Sequence, residues 1–190
     1  PEYSSAASDV YKRQVFSFDP MKNMPSFGGG GMVLTDSKEI RDTIVSLRRH
    51  GISGKDKYGY NSLISEDHAN QLLLLLKKFD RLQAMREKVC RRYMKNIPEV
   101  QILCAGPNTK SSHHKLVILN DRRDDLKAYL ETKGIQTKIH YQKILDAKHV
   151  GQYPNAEKIC AKALSLPMYP HLTMKEVDYI CDRIKEFIHV

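Results

Sequence analysis

Residues 15–35 read VFSFDPMKNMPSFGGGGMVLT, with a short apolar run on each side of a polar, glycine-rich segment. The runs at 15–18 and 32–35 are rich in residues that favour β-structure, so each predicts a strand. Asp19-Pro20 ends the first strand, because proline has no amide proton to donate. Between the strands, Lys22 is followed by a loop that ends in four consecutive glycines at 28–31.

Lys22 is a candidate nucleophile because it lies between a strand end and a glycine-rich turn. A lysine amine forms a Schiff base with an aldehyde when its site lowers its pKa, and glycines let the backbone approach a bulky ligand. A lysine on such a loop can equally be an ordinary solvated charge. The glycines are not a phosphate-binding P-loop, since no Lys-Ser or Lys-Thr follows them and they enter a strand.

Helical patterns follow this segment. Asp36 and Glu39 have the spacing of a capping box, and the helix they open places Ile40, Ile44 and Leu47 on one face. Residues 66–95 keep a helical apolar period that is interrupted near Asp80, where we expect a bend and a domain boundary.

The pattern after Pro98 is α+β. We predict strands at 115–119 and 135–141 and helices at 123–133 and 155–164, with Gly134 ending the first of these helices. Ile159 and Ala163 are expected to face inward. Thr173 and Glu176 form a capping box for the last helix. That helix should bury Val177, Ile180, Cys181, Ile184 and Phe187.

The first 14 residues, PEYSSAASDVYKRQ, differ from the rest in being small and polar without a usable period. They look like a translated sequencing adapter, so we interpret 1–14 as a non-native tail. On this interpretation the natural sequence begins in mid-element and an N-terminal portion is missing. The remainder divides into 15–80 and 81–190.

The charge balance narrows the classes of partner. The chain has 31 basic and 22 acidic residues, a net charge of +9, and residues 86–190 contribute 19 and 12 of these. Such an excess suits a nucleic acid, a phosphorylated metabolite or simply a basic surface. Basic residues adjoin only in pairs and without interleaved aromatics, which disfavours nucleic acid.

Other features concern the cellular setting and metals. No apolar run approaches the 18 residues of a membrane helix, and without a secretory leader we expect a cytoplasmic protein. The four cysteines are far apart, and the histidines at 113, 114 and 140 share no ligand spacing with them, so no metal site is predicted.

Four stretches together resemble the DegT/DnrJ/StrS family of pyridoxal-phosphate-dependent sugar aminotransferases. Residues 16–33 match its SFxxxKN and GEGG pattern, and residues 58–69, YGYNSLISEDHA, match its GYNSR…E..AA segment. Residues 126–141, LKAYLETKGIQTKIHY, and residues 153–170, YPNAEKICAKALSLPMYP, match two further motifs in the family's order. The resemblance covers nearly all of 15–190.

The resemblance implies an α/β fold, namely the C-terminal part of a fold type I transferase. Residues 15–80 would be the end of the large mixed-sheet domain, and 81–190 the small α+β domain. Lys22 would hold pyridoxal 5'-phosphate and act as general acid and base. Ser17 would bind the cofactor phosphate, and Asn61 would reach the phosphate of the neighbouring subunit's cofactor, which implies a homodimer.

The implied reaction transfers an amino group, with glutamate as the expected donor, to a nucleotide-linked keto-sugar, as in polysaccharide biosynthesis. Family members that dehydrate sugars have histidine at the lysine position, so Lys22 favours transamination. The family's N-terminal half supplies the ring that stacks on the cofactor and the aspartate that pairs with its nitrogen. We therefore expect the full-length parent to be the enzyme and this chain alone to be inactive.

Two departures from the family pattern affect the mouth of the site. Glycine replaces the glutamate of GEGG, in a loop that is one residue longer, and Leu63 replaces the arginine after Asn-Ser. Two other functions stay open: a non-catalytic regulator on an aminotransferase-like scaffold, and a basic nucleic-acid-binding module. Ser17 could simply close a strand end, and Asn61 would suit any left-handed turn.

Overall fold

The computed structural model of the chain describes residues 13–52, 58–104, 106, 108–144 and 151–189. The chain divides into two compact units, Pro1–Phe79 and Asp80–Val190. This boundary lies one residue from the predicted division between 80 and 81. The assignment of the units to a large and a small domain stays a prediction. So does the non-native tail, of which residues 1–12 lie outside the described residues.

The first unit is built on an antiparallel hairpin. Strand β1 (Arg13–Ser17) pairs with strand β2 (Gly31–Thr35), with Val15 opposite Val33. β1 begins two residues earlier than the predicted Val15 and ends at Ser17. The two β-forming runs predict both strands, and the structure pairs them into a hairpin with the Lys22 loop between them.

Two helices of the first unit follow the hairpin, α1 (Lys38–Leu47) and α2 (Glu66–Leu76). The predicted capping box of Asp36 and Glu39 is wrong, because Ser37 is the N-cap and its hydroxyl accepts from the Ile40 N–H at 3.3 Å. Asp36 and Ser37 are both capping residue types, and the chain turns into the helix one residue later than predicted.

The predicted bend near Asp80 is a break between two helices. α2 ends at Leu76, and α3 (Phe79–Asn96) begins three residues later. Lys77 and Lys78 separate the two helices. The apolar period alone does not distinguish such a break from a bend.

The second unit contains a small sheet and three further helices. Strands β3 (Leu116–Leu119) and β4 (Ala163–Leu166) are antiparallel, and single bridges join Ile102 to Ile118 and Lys138 to Ser165. The helices are α4 (Arg123–Thr132), α5 (Pro154–Lys162) and α6 (Met174–Ile188).

One apolar cluster forms the core of the second unit, with α3, α4 and α6 all contributing. Its fully enclosed members are Val89, Tyr93, Ile97, Ile118, Leu126, Leu130, Leu164, Val177, Cys181 and Ile184. The capping box of Thr173 and Glu176 is confirmed, as is the buried face of α6, on which Phe187 is partly buried. None of the described helices has the length and apolar character needed to cross a bilayer.

Three predictions for the second unit are wrong. The segment 135–141 is not a strand, since Lys138 alone pairs there, through hydrogen bonds of 3.1 and 2.9 Å with Ser165. The helix predicted at 155–164 ends at Lys162, because the next four residues pair with β3 and bury Leu164. Ile159, predicted to face inward, is 40% exposed.

Candidate functional site

Lys22 lies on the exposed loop that joins β1 to β2. Asp19 fixes the turn before it: the carboxylate Oδ1 accepts from the Met21 N–H at 2.8 Å, and the Asp19 carbonyl accepts from the Lys22 N–H at 2.9 Å. These bonds hold the backbone at Lys22. The Lys22 side chain is exposed to solvent. The Lys22 amine is therefore accessible to a small-molecule ligand that binds at this loop.

Ser17 is the last residue of β1, at the start of the same turn. Its hydroxyl oxygen accepts from the Asp19 N–H at 3.4 Å. Ser17 and Lys22 thus share Asp19 as a hydrogen-bonding partner, and the structure brings these two predicted site residues to one loop. A hydroxyl that accepts one hydrogen bond can still donate another, for example to a phosphate oxygen.

The backbone conformation of the turn before β2 requires glycine. Gly29 and Gly30 have φ angles of 77° and 152°, a region that residues with a side chain rarely adopt. A Cβ on Gly30 would lie 3.0 Å from Cδ1 of Ile64. The Phe18 N–H donates to the Gly30 carbonyl at 2.8 Å, and buried Phe18 closes the base of the loop. Gly29 and Gly30 therefore have a structural reason besides ligand approach.

Asn61 lies on a different segment of the first unit. It forms an isolated antiparallel bridge with Arg49, and the Ser62 N–H next to it donates to the Arg48 carbonyl at 3.1 Å. Among the described residues, the non-glycine positions with positive φ are His50 and His113. Asn61 is thus an exposed residue of an extended segment, and a left-handed turn does not explain it.

The histidines of the second unit offer little support for a metal. Partial burial, with Lys115 and Lys138 nearby, lowers the pKa of His140 below its usual value. Neutral imidazole binds metals, but two neighbouring ammonium groups disfavour a cation. Within the described parts of the chain, no three His, Cys, Asp or Glu side chains are grouped so as to hold a metal ion.

Sequence reasoning missed the side chains that contact the Lys22 loop from α2. Gln71 forms hydrogen bonds with the backbone of this loop, and His68 packs against Gly28. The signal available in the sequence is the spacing of His68 and Gln71, which puts them on one face of α2. That spacing does not indicate which segment the face contacts.

The comparison with known families completes the description of the site. The model of the DegT/DnrJ/EryC1/StrS aminotransferase family matches residues 6–185. The chain belongs to this family. The resemblance on which the sequence analysis relied is therefore confirmed, and the family's cofactor is pyridoxal phosphate, as predicted.

Two curated relatives illustrate the similarity of this aminotransferase-family chain to known proteins. The "Pleiotropic regulatory protein" of Geobacillus stearothermophilus is 34% identical, with 90% of this chain and 50% of the relative covered. The dTDP-3-amino-3,4,6-trideoxy-alpha-D-glucose transaminase of Streptomyces venezuelae is 30% identical, with 90% and 49% covered. The chain spans about half the length of the curated relatives it matches.

Solved structures confirm the predicted α/β fold class. A DegT DnrJ EryC1 StrS aminotransferase from Brucella abortus superposes with a TM-score of 0.83 at 30% identity, with 93% of this chain and 51% of that chain covered. The match extends over nearly the whole chain.

The side chains present suit pyridoxal phosphate. Lys22 offers an exposed primary amine for an aldehyde, on a backbone that Asp19 holds in place. Ser17 offers a hydroxyl and Asn61 an amide, both of which can donate to phosphate oxygens. The amine and the hydroxyl of the loop suit the cofactor's aldehyde and phosphate groups, and the Asn61 amide, on a separate segment, suits a phosphate group.

Proposed function

We propose that the whole protein containing this chain is a pyridoxal-phosphate-dependent aminotransferase that acts on a nucleotide-linked keto-sugar, with glutamate as amino donor. The observation that carries the proposal is Lys22, an exposed amine on a loop held at Asp19. Family membership and the similarity to a sugar transaminase support the substrate class. Polysaccharide biosynthesis in the cytoplasm is the corresponding setting.

Each proposed site residue has a separate task. Lys22 would hold the cofactor through its amine and would serve as the acid and base that moves a proton at the substrate carbon. The Ser17 hydroxyl would donate a hydrogen bond to the cofactor phosphate. The cofactor itself supplies the electron sink that makes proton removal from carbon possible.

Asn61 is proposed to act across a homodimer. It is exposed on an extended segment separate from the Lys22 loop, which leaves its amide accessible to a partner subunit. In the proposed assembly it donates to the phosphate bound by the partner. Each site then contains residues from two chains.

A second candidate function is regulatory. The relative named "Pleiotropic regulatory protein" is 34% identical to this chain. A regulator on this scaffold could bind the cofactor or a sugar nucleotide without transferring an amino group. Lys22 favours the enzyme, because a non-catalytic protein has no requirement for an amine that both attaches to an aldehyde and moves a proton.

Amino transfer itself tests the proposal. The whole protein is loaded with pyridoxal phosphate and given glutamate and a panel of nucleotide-linked keto-sugars. We expect 2-oxoglutarate and an amino-sugar nucleotide in equal amounts, lost in Lys22→Ala and retained in Lys38→Ala, an exposed lysine at the start of α1. Cofactor binding without 2-oxoglutarate from any sugar would favour the regulator.

A further inference from the structure

The side chain of Gln71 on α2 holds the loop after Lys22 through two hydrogen bonds. Its Oε1 accepts from the Phe27 N–H at 3.2 Å, and its Nε2 donates to the Pro25 carbonyl at 3.4 Å. Gln71 is partly buried, and it uses both ends of its amide on backbone groups two residues apart. The contacts join segments 44 and 46 residues apart in sequence.

Two neighbours of Gln71 extend the same contact along the loop. His68 packs so closely on Gly28 that a Cβ at that glycine would collide with the imidazole ring, and Ile64 lies against Gly30. His68 and Gln71 are three residues apart on one face of α2, and Ile64 lies just before the N-cap of that helix. Together these three residues follow the loop from Pro25 to Gly30.

The two fixed points lie on either side of Lys22. Asp19 holds the backbone three residues before the lysine, and Gln71 holds it three residues after, at Pro25. Only the five residues 20–24 lie between these two points, and so short a segment has few backbone conformations available. The Ser26 N–H also donates to the Phe18 carbonyl at 2.9 Å, so the position of the Lys22 backbone depends on Asp19, on this backbone bond and on Gln71.

We propose that Gln71 is a positioning residue for Lys22: its two backbone hydrogen bonds keep the loop in the conformation from which the amine reaches the cofactor. This inference rests on the proposed function of Lys22. Pre-organisation of this kind matters because a ligand that must first order its loop binds more weakly. Gln71 itself is not proposed to touch the cofactor.

Two substitutions separate the hydrogen bonds from packing. Gln71→Met keeps the length of the side chain and removes both hydrogen bonds. Gln71→Glu keeps the acceptor for the Phe27 N–H and loses the donor to the Pro25 carbonyl. Gln83→Met is the matched control, since Gln83 on α3 also donates to a backbone carbonyl, that of Ser112 at 2.8 Å, in the second unit.

The first measurement is amide hydrogen exchange of the peptide 23–30 in the whole protein without cofactor. We expect Gln71→Met to exchange about tenfold faster than wild type, a factor equal to about 1.4 kcal/mol. Gln71→Glu should be intermediate and Gln83→Met unchanged. The second measurement is the visible absorbance of bound pyridoxal phosphate against pH and cofactor concentration, in which Gln71→Met should bind more weakly and titrate at a shifted pH.

The outcomes distinguish this inference from the proposed function. If wild type binds the cofactor at Lys22 while Gln71→Met matches the control in exchange, affinity and pH profile, the positioning role is wrong and the function stands. If wild type does not attach the cofactor at Lys22, the function fails first, whatever the exchange data show. Should Gln71→Met not fold, Gln71→Glu decides: wild-type exchange at 23–30 overturns the inference.

Discussion

Replacing Tyr93 by phenylalanine should destabilise the second unit by about 1–2 kcal/mol. Tyr93 lies on α3 with 0% of its surface exposed, and its hydroxyl donates to the Pro167 carbonyl at 3.1 Å. The substitution removes the hydrogen bond of a fully buried side chain and leaves the partly buried Pro167 carbonyl without this donor. The aromatic ring stays, so little cavity forms.

The magnitude follows from burial, and Tyr179→Phe provides the control. The Tyr179 hydroxyl donates to the Lys133 carbonyl at the same distance, 3.1 Å, but this side chain is 45% exposed. Water can replace the lost donor there, so we expect a cost below about 0.5 kcal/mol. The two substitutions are chemically identical, and the difference between them isolates the effect of burial.

Urea unfolding of the chain followed by far-ultraviolet circular dichroism measures both variants. Hydrogen exchange of peptides from α3 and α6 reports on the second unit separately, since the chain has two compact units. Equal destabilisation by both substitutions, or a loss at Tyr93 below about 0.3 kcal/mol, would refute the argument from burial.

Three further predictions concern pH, thiol chemistry and the subunit arrangement. A hydrogen bond from Arg92 lowers the pKa of Asp178. The ionised carboxylate therefore stabilises the fold above its unfolded pKa, and this stability is lost as pH falls through its folded pKa. Asp178→Asn should flatten the loss of stability with acid, and an unchanged pH profile would contradict this. Exposed Cys104 should react first with a thiol reagent, whereas burial raises the pKa of Cys181 to about 12, so early labelling of Cys181 in native protein would be inconsistent with the structure. A mixture of inactive Asn61→Ala and Lys22→Ala proteins should regain activity in mixed dimers; continued inactivity despite verified subunit exchange would exclude the role in trans.

Local signals in the sequence are sufficient for several elements. The two strands around Lys22 follow from two β-forming runs on either side of a proline and a glycine turn, whereas their antiparallel pairing is seen only in the structure. The last helix follows from the Thr173 and Glu176 capping box and an apolar face with the helical period. Both depend on contacts within about 20 residues, which a sequence pattern records directly.

Long-range pairing accounts for the errors. Residues 163–166 continue an apolar helical pattern, but they pair with β3 more than 40 residues earlier, and that pairing ends α5 at Lys162. Gln71 has the sequence context of an ordinary surface residue on a helix. Its two backbone partners are fixed only when the hairpin and α2 come together.

The positions of the candidate site residues were predictable only where their contacts are local in sequence. Ser17 and Lys22 lie five residues apart and meet through Asp19 in one turn. Asn61 came from the family resemblance alone, because neither periodicity nor charge singles it out. Its proposed partner lies in a second subunit, on which the pattern of a single chain carries no information.

Chemical trapping of the cofactor tests the central claim most directly. The whole protein is loaded with pyridoxal phosphate, reduced with borohydride, digested and mapped by mass spectrometry. We predict that the reduced cofactor is attached to Lys22, and that Lys22→Ala loses both the label and the visible absorbance of the bound cofactor while Lys38→Ala keeps them. Stoichiometric labelling of a peptide that does not contain Lys22 would contradict the assignment.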